Sequence, residues 1–172
     1  MDFSKYLRQI PDYPKPGIVF QDITTLLGNS KAFTAAVKQV AAYYQDKGIT
    51  KVVGIESRGF ILGAAVAYAL GLGLVPMRKK GKLPWKTYSI EYALEYSTDT
   101  IEIHQDALEA TDKVLITDDI IATGGTAKAT LDLVKKFGIP EKDIYLCFLM
   151  DIHDVPGTAK EELKKHGYLA LI

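Results

Sequence analysis

Residues 114–129 read VLITDDIIATGGTAKA. An apolar strand runs into two consecutive carboxylates, Asp118 and Asp119. A loop of small residues follows, Ala122-Thr123-Gly124-Gly125-Thr126, and opens directly into a helix. Adjacent glycines let backbone N–H groups turn toward one point with no side chain in the way. The start of the helix adds unpaired donors and a partial positive charge. With the hydroxyls of Thr123 and Thr126, these groups make a nest for a phosphate monoester. Carboxylates accept hydrogen bonds and suit two neighbouring sugar hydroxyls. Strand, acid pair, glycine loop and helix therefore describe a holder for a ribose 5-phosphate. No G-x-x-x-x-G-K-[ST] occurs, and no G-x-G-x-x-G opens a helix, so neither a P-loop nor a dinucleotide site is indicated. An acid pair that bound Mg²⁺ or accepted a phosphoryl group would leave the glycine loop unexplained.

The flanking sequence alternates. A helix is predicted over 30–47, with Phe33, Val37, Val40 and Tyr44 on one face and Gly48 as its stop. Strand patterns follow at 51–55, 73–77, 113–117 and 144–150. Helical patterns lie at about 58–70, at 126–137 before Gly138 and Pro140, and more weakly at about 157–166. This order predicts an α/β fold, a mostly parallel twisted sheet flanked by helices, with its ligand site at the carboxyl ends of the strands. Residues 59–77 carry no charge and are long enough to span a bilayer. Gly71, Gly73 and Pro76 interrupt them, which favours a buried helix and then a strand. Two segments stand outside the alternation. Residues 1–27 hold Pro11, Pro14, Pro16 and Gly17, and 78–104 begin with RKKGKLP and continue with short β-prone pieces. Long irregular segments of this kind read as lids or binding loops.

The 172 residues include 21 Lys plus Arg against 21 Asp plus Glu, with 48% apolar and 24% charged. That balance excludes disorder and argues against a general nucleic-acid or acidic-membrane footprint. Cys147 is the only cysteine, so the chain has no internal disulfide or multi-thiolate zinc cage, and a reducing cytoplasm is expected. The opening MDFSKYLRQI does not read as a signal peptide. His104, His153 and His166 have no metal-ligand spacing.

The motif DDIIATGGT closely resembles the phosphoribosyl-pyrophosphate-binding motif of the type I phosphoribosyltransferases. PDYPKPGIVFQDIT at 11–24, GIESRGF at 54–60, RKKGKLP at 78–84 and LEYSTDTIEIHQDAL at 94–108 extend the resemblance over nearly the whole chain, toward the adenine branch. The resemblance implies one domain over 1–172, with a small hood from about 1–27 and 150–172 and a flexible lid over about 78–104. It implies purine salvage: transfer of ribose 5-phosphate from phosphoribosyl pyrophosphate to adenine, giving AMP and pyrophosphate. It also implies Mg²⁺ held mainly by substrate and water rather than by protein, and a cytoplasmic homodimer with no nucleic-acid or membrane partner. The rival readings are a 6-oxopurine transferase and a non-catalytic regulator that senses phosphoribosyl pyrophosphate.

Residue roles follow by resemblance. Asp118 and Asp119 take the ribose hydroxyls, and Ala122, Thr123, Gly124, Gly125 and Thr126 take the 5′-phosphate. Glu56, Ser57, Arg58 and Gly59 face the pyrophosphate, with a non-proline cis peptide between Glu56 and Ser57. From the residues alone, Arg58 is equally a forked donor to pyrophosphate and a helix-start arginine paired with a nearby acid. The cations of the basic run read either as a solvated charge cluster or as neutralisers of the leaving group. The resemblance favours the second role, for Arg78 first and then Lys79 and Lys82, near a dimer interface. Glu95, followed by Tyr96 of the lid, keeps the family's distance to Asp106-Ala107-Leu108 as the acid/base, and Glu91-Tyr92 does not. Ser97 stands where relatives carry Gly. For the base, the Val19 carbonyl and the Gln21 N–H would read adenine, Phe20 would stack on it, and Ile152 would cover the other face. Relatives often have Arg where Gln21 stands.

Overall fold

The computed structural model describes residues 1–93, 98–152, 155 and 157–172. Its centre is a pair of parallel strands, β3 (Lys51–Ile55) beside β7 (Val114–Ile121). In chain order, β1 (Arg8–Pro11), β2 (Val19–Asp22), α1 (Thr24–Leu27) and α2 (Ser30–Tyr44) precede β3. Between β3 and β7 come α3 (Gly59–Leu70), β4 (Gly73–Lys79), β5 (Thr87–Ala93) and β6 (Thr98–His104). After β7 come α4 (Gly125–Lys135), β8 (Ile144–Asp151), α5 (Thr158–His166) and β9 (Leu169–Ala170). One seven-stranded sheet runs β5-β6-β4-β3-β7-β8-β9. The ladders from β4 through β9 are parallel, and β6 is antiparallel to both β4 and β5.

The central strands are apolar on both faces because helices cover both. Along β7, Leu115 belongs to a buried cluster with Val40 of α2 and Val66 of α3. Val114 and Ile116 face the opposite cluster, with Leu131 and Val134 of α4 and Leu163 of α5. The period of two thus survives inside a continuous apolar run. The uncharged stretch 59–77 divides into α3 and β4, and among the described residues no helix is long and apolar enough to cross a membrane.

The register aligns the site. Gly54 of β3 sits opposite Thr117 of β7, so the turn after β3 emerges beside Asp118 and Asp119. There α3 lies almost on the strand: a Cβ added to Gly59 would stand 2.8 Å from the Thr117 carbonyl oxygen and 3.0 Å from the Asp118 Cα. Only glycine allows this approach.

Within 78–104 the β-prone pieces form regular strands, so less of the segment is irregular than expected. β4 runs on through Arg78 and Lys79, which pair with Glu102 and Ile101 of β6, and β5 and β6 form a long hairpin. TYSIEYA and TDTIEIH are strand sequences, and Ile101 and Ile103 are buried in the core. Among the described residues, 80–86 form the irregular part.

The chain ends converge on the carboxyl end of β8. β1 and β2 make a two-stranded antiparallel ribbon, braced where Arg8 donates to Asp22 at 2.6 and 2.9 Å. Phe3 is buried in the same cluster as Leu149, and the Asp151 N–H donates to the Ile172 carbonyl at 2.9 Å.

Candidate active site

A cleft of about 450 Å³ opens at the carboxyl ends of β3, β4 and β7. Asp118 and Asp119 form its floor. The Asp119 side chain is 8% exposed and forms an ion pair with Arg58, whose Nε donates to Oδ2. Asp118 Oδ1 accepts the Asp119 N–H at 2.8 Å. Burial first, and then the negative charge of Asp119, push the Asp118 carboxyl well above the usual carboxylate range, and Arg58 offsets only part of this. Both readings of Arg58 therefore have their geometry: it is paired with an acid, and it lines the cleft.

The opposite wall is built around Glu56. Arg78 grips it with two donors, at 3.1 and 3.2 Å, and the Lys79 N–H adds a third at 3.0 Å. The Arg78 hydrogen bonds hold the Glu56 carboxyl below its usual range. Arg78 also donates to the Lys82 carbonyl at 3.3 Å and so braces the basic loop. Of Arg78, Lys79 and Lys82, it is Lys79 that lines the cleft. Its Nζ stands 2.9 Å from Asp99, which raises the Lys79 pKa. The peptide between Glu56 and Ser57 is cis, and so is the one between Tyr13 and Pro14.

The far end of the cleft is the start of α4. Gly124 caps the helix at φ 84°, a left-handed conformation that suits glycine, and no side chain caps the first turn. Its leading N–H groups are left for an acceptor from outside. Thr126, from that turn, lines the cleft.

On the side of the chain ends, Phe20 is half-buried, edge-on to Tyr13 at 5.3 Å between ring centres, with the Arg58 guanidinium 5.9 Å from its own. The Ile18 carbonyl accepts the Tyr13 N–H at 3.2 Å, and Pro11, opposite Val19, has no N–H to give. Main-chain groups alternate between the two edges of an antiparallel strand. Val19 and Gln21 therefore turn theirs to the edge of β2 away from β1. Gln21 and Ile152 line one cavity of about 660 Å³ between β2 and the end of β8.

Tyr92, set aside with Glu91 in the sequence reading, lines the cleft, as do Asp99 and Ile120, which that reading does not assign. Tyr92 and Asp99 face each other across the hairpin, with the Tyr92 hydroxyl 3.5 Å from the Asp99 carboxylate, and both line the cleft with Thr126. Burial raises the Tyr92 pKa. The alternation in 87–93 and 98–104 was the available signal, because it places 90, 92, 99 and 101 on paired positions. Glu91 is exposed and points to the face of β5 opposite Tyr92. Glu95 and Tyr96 lie outside the described residues, as does His153.

Known proteins share this architecture. Residues 24–166 match the phosphoribosyl transferase domain, and the chain belongs to that family. Within it, the chain is similar to adenine phosphoribosyltransferases. The enzyme of Methylobacterium nodulans is 55% identical over 154 residues, which are 90% of this chain and 84% of its own. Adenine phosphoribosyltransferase from Giardia lamblia, solved with 9-deazaadenine, is 40% identical with a TM-score of 0.92, covering 99% of this chain and 95% of its own. The enzyme from Thermoanaerobacter pseudethanolicus is also 40% identical, with a TM-score of 0.90 over 99% and 96%.

Proposed function

We infer that this chain salvages adenine: it transfers ribose 5-phosphate from phosphoribosyl pyrophosphate to the base and yields AMP and pyrophosphate. The observation that carries the reading is the acid pair of β7, set between the uncapped start of α4 and Arg58. The 5′-phosphate takes the free donors of 122–126. The ribose hydroxyls take Asp118 and Asp119. Ser57, Gly59 and the cations at 58 and 79 receive the pyrophosphate, with Arg78 holding Glu56 and Lys82 closing the basic loop.

The ion pairs of the ligand-free site set the order of events. Arg58 is tied to Asp119 and Lys79 to Asp99. An incoming pyrophosphate draws both cations toward itself, and the departure of Arg58 frees Asp119 to accept a sugar hydroxyl. Bond breaking at C1′ leaves positive character on the ribose and negative charge on the departing pyrophosphate. Placement and charge stabilisation are then the main catalytic means. Glu95, on the segment that joins β5 to β6, moves the proton on the imidazole side of the purine.

The resemblance implies Mg²⁺ bound together with the substrate. Among the described residues no group of three or more His, Cys, Asp or Glu could hold a metal ion. By resemblance, pyrophosphate oxygens and water would be its main ligands, beside the carboxylates of Asp118 and Asp119, and when bound it would neutralise charge on the leaving group.

On the base side, the exposed edge of β2 offers the Val19 carbonyl to the 6-amino group and the Gln21 N–H to N1, between Phe20 and Ile152. The enzyme works as a homodimer. The outer face of α3 supports this: Ile61 is 44% exposed, Tyr68 is 89% exposed, and Ala64 lies between them. A lone, fully buried Cys147 fits a reducing cytoplasm, and the even charge balance suits small-molecule substrates rather than nucleic acid or membrane.

Calorimetry with phosphoribosyl pyrophosphate tests the site. The Asp118→Asn/Asp119→Asn variant should fold and bind at least tenfold more weakly, since each lost charge-assisted bond is worth roughly 1.5–3 kcal/mol. Parent-like affinity would refute the ribose assignment.

A further inference from the structure

One charged side chain outside the cleft is almost wholly enclosed. Lys160, in the first turn of α5, is 1% exposed. Its Nζ lies 2.5 Å from Asp151 Oδ1 and donates to the Ile152 carbonyl, also at 2.5 Å. The other oxygen of Asp151 accepts the Tyr168 hydroxyl at 2.6 Å. The main chain of the same lysine reaches the other way. Its N–H donates to the Thr123 carbonyl at 3.1 Å, and Gly124 packs so closely that a Cβ there would stand 2.7 Å from the Lys160 nitrogen. One residue therefore grips the loop at 123–124 with its backbone and the segment at 152 with its side chain.

These two segments leave the sheet side by side. Ile121, at the end of β7, pairs with Asp151 at the end of β8, and the Ile152 N–H donates to the Ile121 carbonyl at 3.0 Å. Beyond that point the sheet no longer fixes their separation. A buried ion pair is a poor source of stability compared with apolar packing, because desolvation opposes it. What it does supply is direction: an ammonium held between a carboxylate and a carbonyl has few alternative positions.

We propose that Lys160 is a positioning residue, whose side chain sets the distance between the phosphate-holding loop and the purine-facing segment at Ile152. The inference rests on the reading of 122–126 and Ile152 given under the proposed function. Each half-site is complete without the lysine ammonium. Their mutual placement is not, and it decides whether the purine nitrogen meets C1′. A misplacement of about 1 Å costs on the order of a hundredfold in rate.

The test is the Lys160→Met/Asp151→Asn variant. It removes both charges together, keeps the side-chain length, and leaves an acceptor for Tyr168. Melting should stay within about 5 °C of the parent. Ribose 5-phosphate affinity by calorimetry and both KM values should stay within about threefold, while the single-turnover rate of AMP formation falls about tenfold to a hundredfold. A parent-like single-turnover rate overturns the proposal. So does an equal loss of ribose 5-phosphate affinity, which would mean that the side chain only holds the loop in shape. If the variant does not fold, hydrogen exchange in the parent serves instead. Ribose 5-phosphate alone should slow exchange at the Ile152 amide, and an unchanged rate there overturns the coupling. A parent that binds no ribose 5-phosphate refutes the reading of the site itself, and this inference with it.

Discussion

Asp118 sits in the folded chain under protest from its own surroundings. Burial and Asp119 both favour its protonated form. Its folded pKa lies above the ordinary 3.8, so the associated stability is complete below that value and is lost as pH rises through the folded pKa. Asp118→Asn removes this conflict, and the ligand-free variant should melt a few degrees higher than the parent at neutral pH. The gap should close below about pH 4, which a melting series across pH will show. The same change should weaken phosphoribosyl pyrophosphate binding, the usual exchange of stability for function at a site. Asp22 behaves in the opposite way. The Thr24 N–H first, then the Thr24 and Arg8 side chains, hold its carboxyl down at about 2. Its contribution is present above the ordinary 3.8 and is lost as pH falls toward 2. Asp22→Asn should therefore melt below the parent at neutral pH and match it near pH 2. The acid pair and Arg58 were readable in the sequence because one strand–loop–helix segment and one turn contain them. Tyr92 and Asp99 were not, because a cross-strand register brings them together.

The contact between α3 and β7 is the least forgiving in the fold. A methyl at Gly59 would meet Asp118 Oδ1 and the Thr117 carbonyl at 2.8 Å, and the carbonyl belongs to a residue held in the central ladder. Gly59→Ala should lower stability by about 1–3 kcal/mol in denaturant unfolding, and it should weaken substrate binding because the displaced atoms belong to Asp118. The hairpin of β5 and β6 yields a second element-level expectation. Glu91 points away from the cleft lining, so Glu91→Gln should leave kcat within about twofold, whereas Glu95→Gln should lower it by about 10²–10⁴-fold. The reverse order in a steady-state assay would transfer the acid/base role to Glu91. The parallel core was readable because buried strands and helices carry continuous apolar runs and clear stops. The hairpin was legible only as short β-prone pieces, since its register and its pairing with β4 are set by contacts distant in sequence. The ribbon of β1 and β2 was hidden by Pro11, Pro14 and Pro16.

The molecule as a whole joins two halves of a site that lie far apart in sequence. In the proposed function the sheet carries the phosphate, ribose and pyrophosphate contacts, and the converging chain ends carry the surface for the base. The exposed apolar face of α3, with Ile61 and Tyr68, is where the proposed dimer is tested. Tyr68→Glu should shift the parent dimer toward monomer in sedimentation velocity at micromolar concentration, and a parent that is already monomeric and fully active would refute the dimer. The base-reading edge of β2 is the feature on which the proposed function most depends. In the proposed reading, its Val19 carbonyl and Gln21 N–H meet adenine as acceptor and donor. A 6-oxopurine reverses both, leaving two mismatched polar groups at roughly 1–3 kcal/mol each. The direct measurement is kcat/KM for adenine, hypoxanthine and guanine with phosphoribosyl pyrophosphate and Mg²⁺, with the nucleotide product identified. Adenine should yield AMP and exceed the other two by about 10²–10⁴-fold. A 6-oxopurine within about tenfold of adenine, or no nucleotide from adenine at all, would contradict it.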